Sequence, residues 1–151
     1  MKCGAPNGYT VFTFKDNTYS LRYKVGRGNK DYQMNIWAPD SVKAEQSGQT
    51  DVIVNFFAGS EKASVKMRIG DSDWINMAKV KIRDPYYLQL DEMDKNLGIE
   101  KPNWMGSAMI SDHIWSAKLP EGLDCSRQVI SVKIKDMYGQ VHTGKRIIKI
   151  E

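Results

Sequence analysis

The chain has 151 residues, enough for one domain with its own core, and its hydrophobic (41%) and charged (26%) fractions are ordinary for a globular protein. No apolar run approaches the ~20 residues of a membrane helix, and no apolar signal-peptide core follows Met1. The net charge of +4 comes from lysines and arginines that alternate with apolar residues. This spacing favours solvated strand faces over a nucleic-acid groove, so we expect neither a membrane span nor a nucleic-acid partner.

The first third of the chain predicts short strands separated by turns. Residues 9–14 and 19–25 are rich in aromatic and β-branched side chains, and Asp16-Asn17 between them is a turn signal, so they predict a hairpin. Residues 32–37 alternate and predict a third strand. Residues 41–49 are polar without an apolar stripe, and we expect a loop there.

The next strands are spaced as in a β-sandwich. Residues 51–57 form a largely apolar run suited to a central strand. Residues 65–69 alternate, and residues 70–73 (GDSD) form a turn, after which residues 74–82 are predicted to return as the hairpin partner. Short strands with a turn every eight to twelve residues are typical of an immunoglobulin-like sandwich.

A short helix interrupts this rhythm at residues 84–97. Asp84 suits the N-cap position, and Pro85 suits the first helical position. Apolar residues then recur at helical spacing, and Gly98 fits the end of the helix. We therefore predict one short helix inserted between two strands.

The last forty residues predict three more strands. Residues 113–119, 129–135 and 141–150 each alternate, and residues 136–139 (DMYG) join the last two with aspartate and glycine, which suit a tight turn. We expect these three strands to form antiparallel sheet. The whole chain, residues 1–151, is predicted to be a single all-β, immunoglobulin-like antiparallel β-sandwich with one inserted helix.

Few residues in the chain are suited to catalysis. Its two histidines, His113 and His142, lie in different strands, and no Cys-x-x-Cys or His-x-x-x-His spacing is present. Cys3 and Cys125 are far apart, and pairing between them in an oxidising compartment stays open. No nucleophile motif or phosphate loop occurs. We therefore expect no catalytic residue, metal or cofactor in this chain.

Aromatic side chains are the remaining candidates for a binding surface. Most of them are expected to fill the core, but an alternative is a platform on which sugar rings stack. Trp104, in an irregular stretch next to a proline, is the tryptophan that we expect to be exposed. The residues considered are Trp37, Trp74, Trp104, Trp115, Tyr86 and Tyr87.

A set of short motifs, in order along nearly the whole chain, resembles the C-terminal domain that follows the catalytic domain in calcineurin-like metallophosphoesterases of Bacteroides-type bacteria. The family pattern has a glycine-containing turn and a histidine where residues 124–127 read DCSR. The matching motifs are residues 4–9, 19–23, 31–34 with Ala38-Pro39, 51–57 with Gly59-Ser60, 67–70 with Trp74, 84–86, 113–115, 119–123 and 136–139.

The resemblance implies a parent enzyme that hydrolyses phosphoesters with two divalent metals in a separate upstream domain, and it favours a periplasmic or extracellular protein. This chain would be a fragment of that enzyme, a non-catalytic accessory domain that packs against the catalytic domain and shapes substrate access. Candidate domain-contact or ligand-facing residues are Tyr9, Tyr86, Tyr87 and Trp104. The alternative is a carbohydrate- or surface-binding module, with a glycan as its partner.

Overall fold

The computed structural model describes residues 1–102 and 105–151. Strands dominate this part of the chain, and one α-helix and one 3-10 helix (Ala44–Gln49) accompany them. The strands and the α-helix are β1 (Gly8–Lys15), β2 (Thr18–Val25), β3 (Met34–Trp37), β4 (Ser41–Val42), β5 (Asp51–Phe56), β6 (Ser64–Ile69), β7 (Ile75–Asn76), β8 (Ala78–Arg83), α1 (Pro85–Asn96), β9 (Ile110–Lys118), β10 (Arg127–Lys135) and β11 (Val141–Ile150).

Two sheets form the sandwich. The five-stranded sheet has the order β4-β11-β10-β6-β7, and the four-stranded sheet has the order β3-β5-β9-β8. All neighbours pair antiparallel except β4, which pairs parallel with the end of β11. Strands β1 and β2 form a separate two-stranded sheet. The predicted all-β sandwich with one short helix is confirmed.

The core lies between the two sheets and is built from alternate residues of each strand. The alternation predicted for β6, β10 and the end of β11 is confirmed, because the side chains on one face of each are at most 4% exposed. Apolar burial of this kind is the main source of the sandwich's stability. The inward residues of these three strands are Val65, Met67, Ile69, Ile130, Val132, Ile134, Ile148 and Ile150.

The prediction that residues 74–82 form one hairpin partner of β6 is confirmed for their first part and wrong for their second. Within residues 74–82, β7 pairs with β6, whereas β8 crosses to the four-stranded sheet, where it pairs with β9. Met77, between the two strands, is buried in the core, and its amide donates to the carbonyl of Val65 at 2.9 Å. A buried apolar residue at the crossing point keeps the alternation unbroken, so the sequence pattern conceals the crossing.

The last three strands pair antiparallel, as predicted, but they divide between the two sheets. β10 and β11 pair as predicted, but β9 lies in the four-stranded sheet between β5 and β8. Residues 41–49, predicted as a loop, contain β4 and the 3-10 helix. Val42 is 5% exposed and is the inward side chain of β4. A strand of two residues is too short to show the alternation by which a strand is predicted.

The inserted helix agrees with its sequence signals. Asp84 is its N-cap, and the carboxylate Oδ1 accepts a hydrogen bond from the Tyr87 amide at 2.8 Å. Gly98, just past the C-terminal end, has a φ of +66°, a left-handed conformation that glycine adopts without strain. Within α1, all of which the structure describes, no residue is buried. The helix is therefore held at its N-terminus and lies on the surface.

The hairpin of β1 and β2 is attached to the sandwich by a second, smaller core. Tyr23 and Val25 from β2 pack with Ala5 and with Phe57, which follows β5. Farther along the hairpin, the side-chain amide of Gln140 donates to the Leu21 carbonyl at 3.1 Å. The hairpin thus contacts the four-stranded sheet near its base and the turn between β10 and β11 farther out.

Candidate functional site

Residues 1–7, which we call the N-terminal segment, lie against the outer face of the four-stranded sheet. The Asn55 side chain on β5 donates to the Cys3 carbonyl at 3.1 Å, and the Met109 amide donates to the Lys2 carbonyl at 2.9 Å. The Tyr23 hydroxyl donates to the Pro6 carbonyl at 2.5 Å. Burial raises the pKa of this tyrosine. The segment is therefore bound along its length by groups from several elements.

A buried polar cluster fixes the segment to the sheet. It consists of Asn55, Asp84 and His113. Asn55 Nδ2 donates to Asp84 Oδ2 at 2.5 Å, and Asn55 Oδ1 lies 2.7 Å from His113 Nδ1. Asn55 is 1% and Asp84 2% exposed. An unpaired carboxylate at such a depth would be costly, so the amide and the helix N-terminus compensate for its burial.

The contacts of Asn55 determine the tautomer of His113, and burial determines its charge. Because Asn55 Nδ2 points at a carboxylate and a carbonyl, its Oδ1 faces the imidazole and accepts a hydrogen bond from Nδ1. Burial is the largest cause of a lowered His113 pKa, outweighing the attraction of Asp84 and Asp112. The ring is therefore neutral at pH 7 and is oriented by an amide. This arrangement holds elements together and activates no nucleophile.

Gly4 allows the N-terminal segment to approach Asp84 closely. Its φ is +83°, and a Cβ atom at this position would lie 2.4 Å from Asp84 Cβ. A side chain would therefore clash with the polar cluster as well as strain the backbone. Gly4 belongs to the GAPNGY motif of residues 4–9, and this close approach explains why the motif has a glycine at that position.

A small cavity lies between the N-terminal segment and α1. Its volume is about 220 Å³. The Tyr87 hydroxyl donates to the Gly106 carbonyl at 3.0 Å, which joins the helix to the stretch that precedes β9. The cavity is at the low end of the size of ligand pockets. The residues that line it are Met1, Lys2, Asn7, Tyr87, Met105 and Gly106.

Three exposed aromatic side chains, Phe12, Phe14 and Tyr19, cover one face of the hairpin, and we call them the aromatic surface. Phe14 lies opposite Tyr19 in the strand register, and the three ring centroids are 6.2–6.3 Å apart. Phe12 is 52%, Phe14 75% and Tyr19 50% exposed. Tyr138, in the turn after β10, lies 5.7 Å from Tyr19 and borders the surface.

The predicted site residues have different surroundings. Tyr87 is half-buried and lines the cavity beside the N-terminal segment. Tyr86 is exposed at the start of α1, and Tyr9 is exposed on β1. By alternation along the strand, Tyr9 is on the hairpin face opposite Phe12 and Phe14. Trp104 lies outside the described residues.

Sequence reasoning missed the aromatic surface and Asn55. The alternation of Phe12 and Phe14, with Tyr19 on the return strand, was visible, but a core-facing stripe has the same pattern. Asn55 interrupts an apolar strand, and a polar residue at such a position is the one signal that pointed to it.

The tryptophans divide between core and surface. Trp115 is 3% exposed and packs in the core, as expected for most of them. Trp37 is half-buried and donates to the Gln89 side chain of α1 at 3.3 Å. Trp74 is 39% exposed and is therefore not one of the core tryptophans. It follows the turn after β6, at the edge of the five-stranded sheet.

Three further features concern metal binding, the cysteines and membrane crossing. In residues 1–102 and 105–151, no group of three or more His, Cys, Asp or Glu side chains is placed to hold a metal ion. Cys3 is half-buried and Cys125 is exposed, and both are free thiols where the structure describes them. None of the helices in the described ranges combines the length and the apolar character that crossing a bilayer requires.

Comparison with known protein families gives a match over most of the chain. A family model described as "C terminal of Calcineurin-like phosphoesterase" matches residues 1–142. None of the curated proteins matches the chain.

Two solved structures also match the chain, both at low similarity. CopC from Methylosinus trichosporium OB3b is 13% identical, with a TM-score of 0.39, and the match covers 76% of this chain and 85% of that chain. A superoxide reductase (neelaredoxin) from Ignicoccus hospitalis is 14% identical, with a TM-score of 0.41, and the match covers 79% and 80%.

Proposed function

The chain belongs to the family of C-terminal domains of calcineurin-like phosphoesterases, and we propose that it packs against the upstream catalytic domain through the aromatic surface of its first hairpin. A domain of this family is an accessory module of the phosphoesterase. The observation that carries the proposal is the cluster of Phe12, Phe14 and Tyr19, each at least half exposed and in mutual contact.

Clustering is what distinguishes these side chains from ordinary exposed apolar residues. Single exposed apolar side chains are common on monomeric proteins, whereas contiguous apolar patches usually mark an interaction site. Aromatic side chains are enriched at protein interfaces because they bury a large area at a low cost in side-chain entropy. Covering one phenylalanine of this surface contributes about 1.5–3 kcal/mol.

The N-terminal segment supports the same proposal because it leads directly into β1. The polar cluster and Gly4 fix its path over the four-stranded sheet. A fixed path at the junction limits the orientations that a preceding domain can adopt and lowers the entropic cost of docking it. Tyr87, which lines the cavity beside this path, is proposed to contact the catalytic domain, with Tyr86 beside it on α1.

We further propose that the domain shapes substrate access without contributing reacting groups. The polar cluster orients a neutral histidine toward an amide, and the described residues offer no metal-binding group. The two divalent metals of the reaction are therefore assigned to the catalytic domain. We expect the isolated 151-residue chain not to hydrolyse a chromogenic phosphoester when manganese or zinc is added. Measurable turnover would refute this assignment.

The test of the domain contact uses the full-length phosphoesterase that carries this domain. Phe14→Asp places a charge in the aromatic surface, and Thr13→Asp places the same charge on the opposite hairpin face. We expect Phe14→Asp to weaken the contact by about 1.5–3 kcal/mol, separating the thermal unfolding of the two domains and speeding proteolysis at their junction. Thr13→Asp should leave both unchanged. Equal effects of the two variants would contradict the proposal.

We also assign the sandwich to the immunoglobulin-like class. Lettering β3, β5, β9 and β8 as A, B, E and D, and β6, β10 and β11 as C, F and G, gives the two strand orders typical of immunoglobulin domains. One feature differs, because the buried Trp115 lies on β9 and not on β6. An origin of the parent enzyme in Bacteroides-type bacteria, and its periplasmic or extracellular location, remain predictions.

A further inference from the structure

The outer face of the five-stranded sheet is strongly basic. Its antiparallel strands β6, β7, β10 and β11 contain eight of the chain's 22 Lys and Arg residues and none of its 18 Asp and Glu residues. The rest of the chain therefore has 14 basic and 18 acidic residues, so the positive charge is concentrated here. Seven of the eight alternate outward, namely Lys66, Arg68, Arg127, Lys133, Lys135, Lys145 and Lys149.

Like charges lie directly opposite one another on this face. Lys66 and Lys133 are register partners across β6 and β10, and Arg127 and Lys149 are partners across β10 and β11. Lys149 has Glu151 as an ion-pair partner at 2.9 Å. Among the described residues, Lys66, Lys133 and Lys135 have no such partner. Opposed like charges destabilise a sheet, so their presence needs a reason other than folding.

A groove beside these lysines has the size and lining of a small-molecule site. Its volume is about 300 Å³, and it is lined by Ser64, Lys66, Trp74, Lys133 and Lys135. Trp74 forms the apolar wall, and the guanidinium of Arg68 lies 4.9 Å from its ring centroid. The groove thus combines three ammonium groups and a hydroxyl with one aromatic ring.

We propose that this groove binds a sugar phosphate, with the phosphate between Lys66 and Lys133 and the sugar ring against Trp74. Ammonium groups bind phosphate as strong point charges, and a dianion between two opposed lysines relieves their repulsion. The flat face of an indole suits the apolar face of a sugar ring. The site lies on the sheet opposite the one that carries the N-terminal segment, and it is independent of the proposed domain contact.

Calorimetric titration of the 151-residue chain at low ionic strength tests the proposal with three probes: glucose 6-phosphate, glucose and inorganic phosphate. We expect glucose 6-phosphate to bind, inorganic phosphate to bind about tenfold more weakly, and glucose to give no heat. Trp74→Ala should reduce the affinity for glucose 6-phosphate about tenfold and leave that for phosphate unchanged. Equal affinities for glucose 6-phosphate and phosphate would refute the contact with the sugar ring.

The lysine variants provide a second readout that does not depend on binding. Lys133→Gln should weaken both phosphate-bearing probes about tenfold and at the same time raise the midpoint of thermal unfolding at low salt, because it removes the repulsion with Lys66. Lys145→Gln, on the neighbouring strand outside the groove, is the matched control and should retain the affinity. Unchanged binding by Lys133→Gln, or equal losses in both variants, would overturn the proposal.

Vesicles distinguish a soluble ligand from a membrane surface. The proposal predicts that phosphatidylserine–phosphatidylcholine vesicles fail to compete with glucose 6-phosphate. If these vesicles do compete, and compete equally well for the Trp74→Ala variant, the basic face binds anionic lipid and the proposal is overturned.

Discussion

The side-chain amide of Asn55, on the central strand β5, donates to the carboxylate of Asp84 at the start of α1 at 2.5 Å. The same carboxylate caps the helix through the Tyr87 amide, and the same amide binds the Cys3 carbonyl of the N-terminal segment. Sheet, helix and N-terminal segment therefore meet at two buried side chains.

Asp84→Ala is expected to destabilise the domain by about 2–4 kcal/mol, because it removes a helix cap and leaves one N–H of the buried Asn55 amide without a partner. Urea unfolding measures this loss. Asp112→Ala is the matched control, because the Asp112 carboxylate is 71% exposed and its ion-pair partner, Lys81, is exposed as well. It should cost about 0–1 kcal/mol. Equal losses in the two variants would show that the polar cluster adds nothing to stability.

Gly4→Ala is expected to detach the N-terminal segment. The new Cβ atom would overlap Asp84, in addition to the strain of a positive φ, so we expect a cost of about 2–3 kcal/mol and faster proteolysis within residues 1–7. Gly122→Ala separates the two effects, because Gly122 has a φ of +68° but no atom within 4 Å of the added carbon. That variant should lose about 1 kcal/mol and keep the segment protected. The prediction fails if both variants behave alike.

His113 makes stability depend on pH in a defined direction. Because burial lowers its pKa below 6.5 in the folded state, the unfolded chain takes up the proton first. The stabilising contribution is complete above about pH 6.5 and declines as the pH falls through that value toward the folded pKa. His113→Gln retains an amide donor for Asn55 but cannot titrate, so its free energy of unfolding should fall less than that of the wild type between about pH 7.5 and 5.5. Parallel pH profiles would contradict this account.

Two neighbouring isoleucines of β11 test the alternation of the core. Ile148 is 1% exposed and Ile147 is 65% exposed. Ile148→Ala should cost about 2–5 kcal/mol because it opens a cavity between the sheets. Ile147→Ala shares the change in strand propensity but opens no cavity, and it should stay within about 1 kcal/mol. Comparable unfolding midpoints for the two variants would contradict the observed register.

The sequence was sufficient for elements whose signal is local. Asp84, Pro85 and Gly98 marked both ends of the helix, and Asp136 with Gly139 marked the last turn. Asp136 Oδ1 accepts from the amides of Tyr138 and Gln140 at 2.9 and 2.8 Å, which is the turn chemistry that the motif predicts. Such features depend on a few adjacent residues, so one sequence is enough to identify them.

Strand partnership was not accessible in the same way. Alternation shows that β8 and β9 are half-buried strands, but each sheet face has the same period of two, so the pattern does not say which sheet a strand joins. The candidate site depended even more on distant contacts, since Asn55, Asp84 and His113 are separated by at least 29 residues. Their residue types suggested a cap and an isolated histidine, and only the fold brings them together.

The hydrogen bond from Gln140 to the Leu21 carbonyl has a consequence for the order of folding. It joins residues 119 positions apart, and the Tyr19–Tyr138 contact beside it spans the same distance along the chain. During synthesis the hairpin can pair early, since its strands are adjacent, but it cannot dock on this side until the last turn has left the ribosome. We expect hydrogen exchange during refolding to protect the amides of β1 and β2 before this docking is complete.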